Sequence, residues 1–345
     1  MVFFWVACIS FLTGLTLIVS APYHGVLSAA HQTGPQKLHQ GYTPRLAGLG
    51  IFAGLVMSFV LISQDASFTK AALFAIIPLF IAGIAEDITA RIAPVVRLAA
   101  SLLTGMLFVW LSEVTISRTV TGIADSILDI QGVAFVLTIL AIAALSNAMN
   151  MIDGLNGLSH GTSLFMSIAL GSIAVSEGDY SLAVFAFGLG SAIFGSLVLN
   201  FPFGRIFAGD GGAYLMGGMI AMLAILLVDR NDNISAFSVL LIILYPFYEM
   251  VRSITRRLLT NRDTMAPDRK HLHSLVFSLC SRRWSRGVAN PLAAIMVWIF
   301  PAGCCLAAVS FSASTAALSV GTGVFVIGYE CASWVLKHRL SRKPS

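Results

Sequence analysis

Eleven apolar runs, each near the ~20 residues that a helix needs to cross a bilayer, dominate this 345-residue sequence. They fall near 1–20, 46–63, 71–85, 95–112, 132–149, 160–176, 182–199, 212–228, 235–251, 290–311 and 314–336. In hydrocarbon every backbone N–H and C=O must be satisfied within the protein, which for runs of this length means helices. Composition agrees: 57% of residues are hydrophobic and 11% charged, against about 25% charged in an ordinary globular protein, and the mean hydropathy is +0.87. The fold class expected is an all-α polytopic integral membrane protein of 10–11 transmembrane helices, forming one domain over residues 1–345. The first run has no positively charged start of the secretory kind, so it is expected to remain as a span.

The basic residues are distributed unevenly between the loops. With eleven spans, 18 of the 21 Lys and Arg fall on one side, and only Lys70, Arg118 and Arg230 on the other. The positive-inside rule makes the richer side cytoplasmic, which puts the N-terminus in the periplasm and the C-terminus in the cytoplasm. The net charge of +5 is thereby a topology signal, and no nucleic-acid partner is expected. Cys8, Cys280, Cys304, Cys305 and Cys331 are odd in number and lie mostly in apolar runs. They form neither a disulfide framework nor a metal-ligand pattern.

The unusual polar groups all fall on the cytoplasmic side. Asn147, Asn150 and Asp153 follow one another at three-residue spacing at the end of the fifth run, so successive members share a helix face. Amides and a carboxylate there are costly unless they face ligand, metal, water or partner groups. Gly154 and Gly157 follow, and a helix cap with a glycine turn is the plain alternative. Glu86 and Asp87 end the third span, and adjacent carboxylates suit either Mg²⁺ coordination or a general base, or else a solvated loop. Phe207-Ala208-Gly209-Asp210-Gly211-Gly212 opens the eighth span, where glycines at a helix start offer N–H groups to an anion and Asp210 suits a metal. Pro267 to His273 carries Asp268, Arg269, Lys270, His271 and His273. Zinc is a poor match without a fourth ligand; arginine and imidazole facing a pyrophosphate is a better one. A basic loop touching anionic headgroups accounts for Arg282, Arg283 and Arg286. Four loops converging on one face suggest a single active site, whereas a transporter more often carries its polar groups at mid-membrane.

Taken in order, these residues resemble the MraY/WecA family of polyprenyl-phosphate N-acetylhexosamine-1-phosphate transferases. The resemblance runs from about Lys37 to His273. It comprises Lys37-Leu38-His39 with Pro44-Arg45, Glu86-Asp87, the Asn147-x-x-Asn150-x-x-Asp153-Gly154-x-x-Gly157-Leu158 stretch, Phe207-x-Gly209-Asp210-x-Gly212, Pro246-x-x-Glu249 and Pro267-Asp268-Arg269-x-His271-x-His273. Residues 274–345, with the last two spans and a basic tail, match no motif.

The resemblance implies Asp210 as a ligand of Mg²⁺, or of Mn²⁺ in its place, with Asn150 as second ligand. It implies Asp87, supported by Glu86, as the group that deprotonates or orients the lipid phosphate, and Asp153 as a further catalytic residue that helps hold the nucleotide. Asn147 and Asn156 are placed with the substrate. Phe207 would stack on uracil, Arg97 would lie near the lipid phosphate, and Arg269, His271 and His273 would meet the pyrophosphate. Lys37 completes the substrate-binding set. Three departures stand out: Glu86 where the family has aspartate, Asn156 in place of a frequent aspartate, and Ser274 where a further histidine is common. The absent run of three histidines disfavours UDP-MurNAc-pentapeptide and favours the branch that starts O-antigen or other envelope polysaccharides.

The implied reaction is attack by undecaprenyl phosphate on a UDP-N-acetylhexosamine at the inner membrane, releasing UMP. Direct displacement is the favoured course, with a covalent enzyme–phosphosugar intermediate as runner-up. A polytopic transporter is the rival reading, and homodimer and monomer are both left open.

Overall fold

A computed structural model describes residues 1–29, 43–62, 67–118, 126–259 and 271–341. Within them the chain is helical: α1 (Val2–Ala29), α2 (Ala47–Ile62), α3 (Ser67–Ala75), α4 (Ile77–Thr89), α5 (Pro94–Ser112), α6 (Gln131–Ile152), α7 (Leu158–Ser176), α8 (Tyr180–Asn200), α9 (Gly209–Arg230), α10 (Ala236–Leu259), α11 (Leu272–Cys280), α12 (Arg286–Ser310) and α13 (Thr315–Ser341). Among the described residues ten helices are long and apolar enough to cross a membrane, α3 and α4 counting together, and α2 is a shorter apolar helix. Each expected run lies on one of them. Large apolar side chains such as Trp110, Ile299, Leu306 and Trp334 are exposed on the outside, a surface that lipid covers. The chain is a multi-pass membrane protein.

Two local features depart from the plain run of spans. The third span is broken between α3 and α4 by Pro78, whose missing N–H interrupts the helical ladder; Ile76 bridges the break by donating to Ala72 O and accepting from Phe80 N. Helix α11, nine residues long, is too short to span and lies within the loop after the ninth run.

Helix α9 is the axis. Every residue from Gly209 to Val228 is buried, and α2, α4, α6 and α7 pack around it. Its glycines bring the neighbouring backbones unusually close, the small-residue mode of membrane packing. A Cβ at Gly48 of α2 would lie 2.5 Å from Gly212 N, and one at Gly83 of α4 would lie 2.6 Å from the Gly211 Cα. The start of α9 is thus gripped on both sides with no room for a methyl group.

The two ends of the bundle differ in their polar groups. At one end Arg230 pairs with Asp179 (2.6 and 3.0 Å), whose Oδ1 also caps α8 at Leu182 N (3.2 Å). There too Arg118 donates to the carbonyls of Asn231 and Asp232 (both 2.7 Å). The opposite end gathers the polar clusters.

Candidate active site

The centre of that cluster is the start of α9. Gly209 takes a positive φ of 67°, a turn that lets Asp210 and Gly211 aim their N–H groups at one acceptor. The acceptor is Asp87 at the end of α4: Asp210 N donates to Oδ1 (2.8 Å) and Gly211 N to Oδ2 (2.9 Å). A fully buried carboxylate at a helix N-terminus meets both unsatisfied N–H groups and the positive end of the helix dipole. Asp87 therefore holds the loop, and the loop presents Asp210. Chain segments from α2 complete the frame, with Phe207 N donating to Pro44 O (2.9 Å) and Ala47 N to Phe207 O (3.1 Å). Phe207 is half-buried directly before this loop.

Two guanidinium groups face the carboxylates. Arg97 Nη1 donates to Asp210 Oδ2. Arg45 lies 3.7 Å from Asp210 and 3.9 Å from Asp87, with 42% of its side chain exposed. Arg45, quoted in the N-terminal motif without a role, thus belongs to the cluster. Cations, one of them part-exposed, around a buried carboxylate pair make a place where an anion and a divalent ion can sit together. Asn150 donates to Tyr214 Oη (3.3 Å), the residue one helical turn beyond Asp210, and Asn147 donates to Ala143 O (2.8 Å) and to Ser101 Oγ (3.4 Å). Glu86 turns aside and accepts Ile92 N (2.8 Å), closing the link from α4 to α5.

Asp153 follows the end of α6. Ser159 Oγ donates to its Oδ1 (2.5 Å), and Ser159 in turn lies 3.5 Å from His160 Nδ1, whose Nε2 is 3.0 Å from Ser196 Oγ. Loss of water pushes the Asp153 carboxyl up to about 6, with the Ser159 hydrogen bond and Arg45 pulling the other way. The turn after it is tied down from below. Asn290 accepts Asn156 N (2.8 Å), Asn200 accepts Gly157 N (2.5 Å), and Asn156 Nδ2 donates to Pro202 O (2.9 Å). Asn156 is buried in this bracing and is not brought to the carboxylate cluster.

The histidine segment is organised by Glu249 of α10. Its Oε2 lies 2.9 Å from His271 Nδ1, and its Oε1 accepts Leu272 N (2.9 Å). A carboxylate only accepts, so Nδ1 carries the proton and His271 Nε2 is left to face outward chemistry. His273 stacks on His271, with ring centroids 5.4 Å apart and nearly parallel planes, and its Nε2 abuts Gly154, where a Cβ would come within 2.7 Å. Burial holds His273 down at about 4. Without a ligand its imidazole is therefore neutral at pH 7. Lys37 and Arg269 lie outside the described residues. Glu249→Gln should turn one of two acceptor contacts into a donor facing a donor. Leaving one buried group unsatisfied costs about 1–3 kcal/mol of stability, so the melting temperature should fall, and turnover should drop with it as His271 loses its anchor, both measured on the purified protein.

Among the described residues no three His, Cys, Asp or Glu side chains form a group that could hold a metal ion. One carboxylate and one amide, Asp210 and Asn150, do suit Mg²⁺, which keeps waters and takes oxygens from phosphate instead of an all-protein cage.

The sequence model of glycosyl transferase family 4 matches residues 69–228, which span α3 to α9 and hold most of this site. An undecaprenyl-phosphate alpha-N-acetylglucosaminyl 1-phosphate transferase of Thermotoga maritima is 30% identical over 281 residues, 81% of this chain and 82% of that protein. The chain belongs to this family. Members bearing the same name in Escherichia coli and Salmonella typhi are 30% and 31% identical, each over 70% of this chain and 67% of the relative. As a glycosyl transferase family 4 member of the MraY/WecA type, the chain is a membrane-embedded transferase. Nothing in its structure or relatives favours a transporter. Within the family 4 frame, reading the sequence overlooked Ser159 and the bracing pair Asn200 and Asn290. It quoted Glu249 without giving it a task. Each looks like an ordinary polar residue near a helix end, and only its partner, 6 to 134 positions away, reveals it.

Proposed function

We propose that the protein transfers a phospho-N-acetylhexosamine from a UDP-sugar to undecaprenyl phosphate, giving the undecaprenyl-pyrophosphoryl sugar and UMP, at the cytoplasmic face of a bacterial inner membrane. The observation that carries this reading is the presentation of Asp210 at the membrane end of α9, between Arg45 and Arg97, by a loop anchored on buried Asp87. The relatives' names supply the acceptor and the phosphosugar. The starting step of O-antigen or another envelope polysaccharide is the role this implies.

In the step proposed, an oxygen of the lipid phosphate attacks the β-phosphorus of the donor, the bond from that phosphorus to the bridging oxygen breaks, and UMP leaves with the electron pair. Asp210 and Asn150 would hold Mg²⁺, which neutralises charge on the phosphate oxygens when bound. Arg45 and Arg97 stabilise the charge that two approaching anions accumulate. Asp87 acts as the orienting group for the Asp210 loop, its two oxygens being committed to backbone N–H groups. Asp153 and Phe207 hold the nucleotide side, and His271, set by Glu249, meets the pyrophosphate. UMP release from a panel of UDP-N-acetylhexosamines, with undecaprenyl phosphate and Mg²⁺ in detergent, tests the reading. Release with one donor and none without acceptor is expected; absence of release with every donor would sink it.

A pH dependence follows if Asp153 works as the ionised carboxylate. With its carboxyl at about 6, kcat/KM should fall as pH drops through that value. The Ser159 hydrogen bond stabilises the charged form, so Ser159→Ala should move the acidic limb to higher pH and leave the rate at pH 8 nearly unchanged. An unmoved limb would remove Asp153 from the chemistry.

A further inference from the structure

Behind Asp153 lies a buried titratable side chain that the proposed reaction does not use. His160, in the first turn of α7, has no exposed surface, and neither has Ser159 beside it. Asp153 itself is part-exposed where α6 ends. An imidazole inside a membrane bundle is costly unless its ring nitrogens find partners, and here both do. Nδ1 lies 3.5 Å from Ser159 Oγ, and Nε2 lies 3.0 Å from the Oγ of Ser196 on α8. Ser196 differs in this from other hydroxyls of the bundle. Ser146 and Ser191 return theirs to the carbonyl one turn back (2.7 and 2.8 Å), whereas Ser196 turns to the imidazole. The first turn of α7 is itself fixed, with Gly157 turning the chain at φ 79° before it and the Trp298 ring filling the space beside Gly161.

The protons available fix the direction of these bonds. An ionised carboxylate only accepts, so the single hydroxyl proton of Ser159 goes to Asp153 Oδ1 (2.5 Å). Ser159 Oγ then meets His160 only as an acceptor, which puts a proton on Nδ1. A neutral imidazole protonated at Nδ1 accepts at Nε2, and Ser196 supplies that bond. Three hydrogen bonds thus run one way, from Ser196 through His160 and Ser159 to Asp153. Donors aligned in series polarise one another, and the last of them meets the carboxylate.

We propose that His160 is a positioning residue for the reaction: from behind Ser159 it orients that hydroxyl and so keeps the Asp153 carboxylate aimed at the nucleotide side of the site. This rests on the role given to Asp153 above, and the test separates the two. Both measurements use the full-length protein in detergent. With ¹⁵N-labelled histidine, the His160 ring, identified by its loss in His160→Asn, should carry its proton on Nδ1. Ser159→Ala should move that proton to Nε2, where Ser196 can accept it. A wild-type proton on Nε2, or a ring signal unmoved by Ser159→Ala, would overturn the proposal whether or not the enzyme turns over. The second measurement is calorimetric titration with UMP. Affinity should fall about tenfold in His160→Phe, the scale of one lost hydrogen bond to a charged group. It should return to within about threefold of wild type in His160→Asn, whose amide can donate from near the Nδ1 position. Ser196→Ala keeps the ring and removes one hydroxyl, so it reads the same chain should the phenylalanine variant misfold, with about a threefold loss expected. Wild-type affinity in the folded His160 and Ser196 variants beside weakened binding in Asp153→Asn would overturn this inference alone. Wild-type affinity in Asp153→Asn would overturn the role of Asp153 and the inference with it.

Discussion

Asp210→Asn is expected to lower turnover by at least about a thousandfold, the scale of losing one strong electrostatic contribution to a phosphoryl-transfer transition state. Asparagine keeps the shape and removes the charge. Arg97, whose side chain is only 17% exposed, would then face a neutral amide, and breaking such a pair by removing one member is costly. Two measurements separate the consequences. Calorimetric titration with Mg²⁺ in the presence of UDP-sugar should show binding lost in the variant, and the melting temperature should report the Arg97 penalty. Retention of more than a tenth of the wild-type rate would remove Asp210 from the proposed metal site.

Gly209→Ala should be nearly as damaging without removing a charged group. The residue sits at φ 67°, a region that costs an L-residue roughly 1–2 kcal/mol. Its new methyl would also run into the Arg45 carbonyl and the Asp87 carboxylate. Asp87 would be pushed from the N–H groups of Asp210 and Gly211, and the loop would lose its shape. Turnover is expected to drop about a hundredfold or more. Gly303→Ala is the control: a Cβ there meets nothing within 4 Å, and activity and stability should match the wild type. A fully active Gly209→Ala enzyme would mean that the loop geometry is irrelevant to catalysis.

These two cases mark how far a sequence reading reaches. Membrane spans were legible because hydrocarbon allows one backbone solution and the apolar runs have to be long enough for it. The gathering of Arg97, Asp87, Asn150, Asp153 and Asp210 at one end was legible for a related reason, since polar groups in such a chain collect where the helices leave the bilayer. Asp87 as a helix cap was not, because its partners are 123 and 124 positions away. The carboxylate was expected to deprotonate or orient the lipid phosphate, and the hydrogen bonds add a further task, holding the Asp210 loop. His273 was expected to meet the pyrophosphate beside Arg269 and His271, and its burial is something no local pattern encodes. The Pro78 break was in plain view, yet an apolar run scanned for length passes over it.

Helix α9 carries a last consequence, for biogenesis. Alone in the bilayer its apolar side chains can face lipid, but in the folded bundle every residue from Gly209 to Val228 faces protein. Gly211, Gly212, Gly217 and Gly218 admit neighbouring groups closely, so its final fit depends on α2, α4, α6 and α7 standing around it. The loop that presents Asp210 should therefore be among the last parts to take shape after insertion. Faults on this helix would surface as material cleared by membrane quality control, and cellular abundance would register them before any assay of rate.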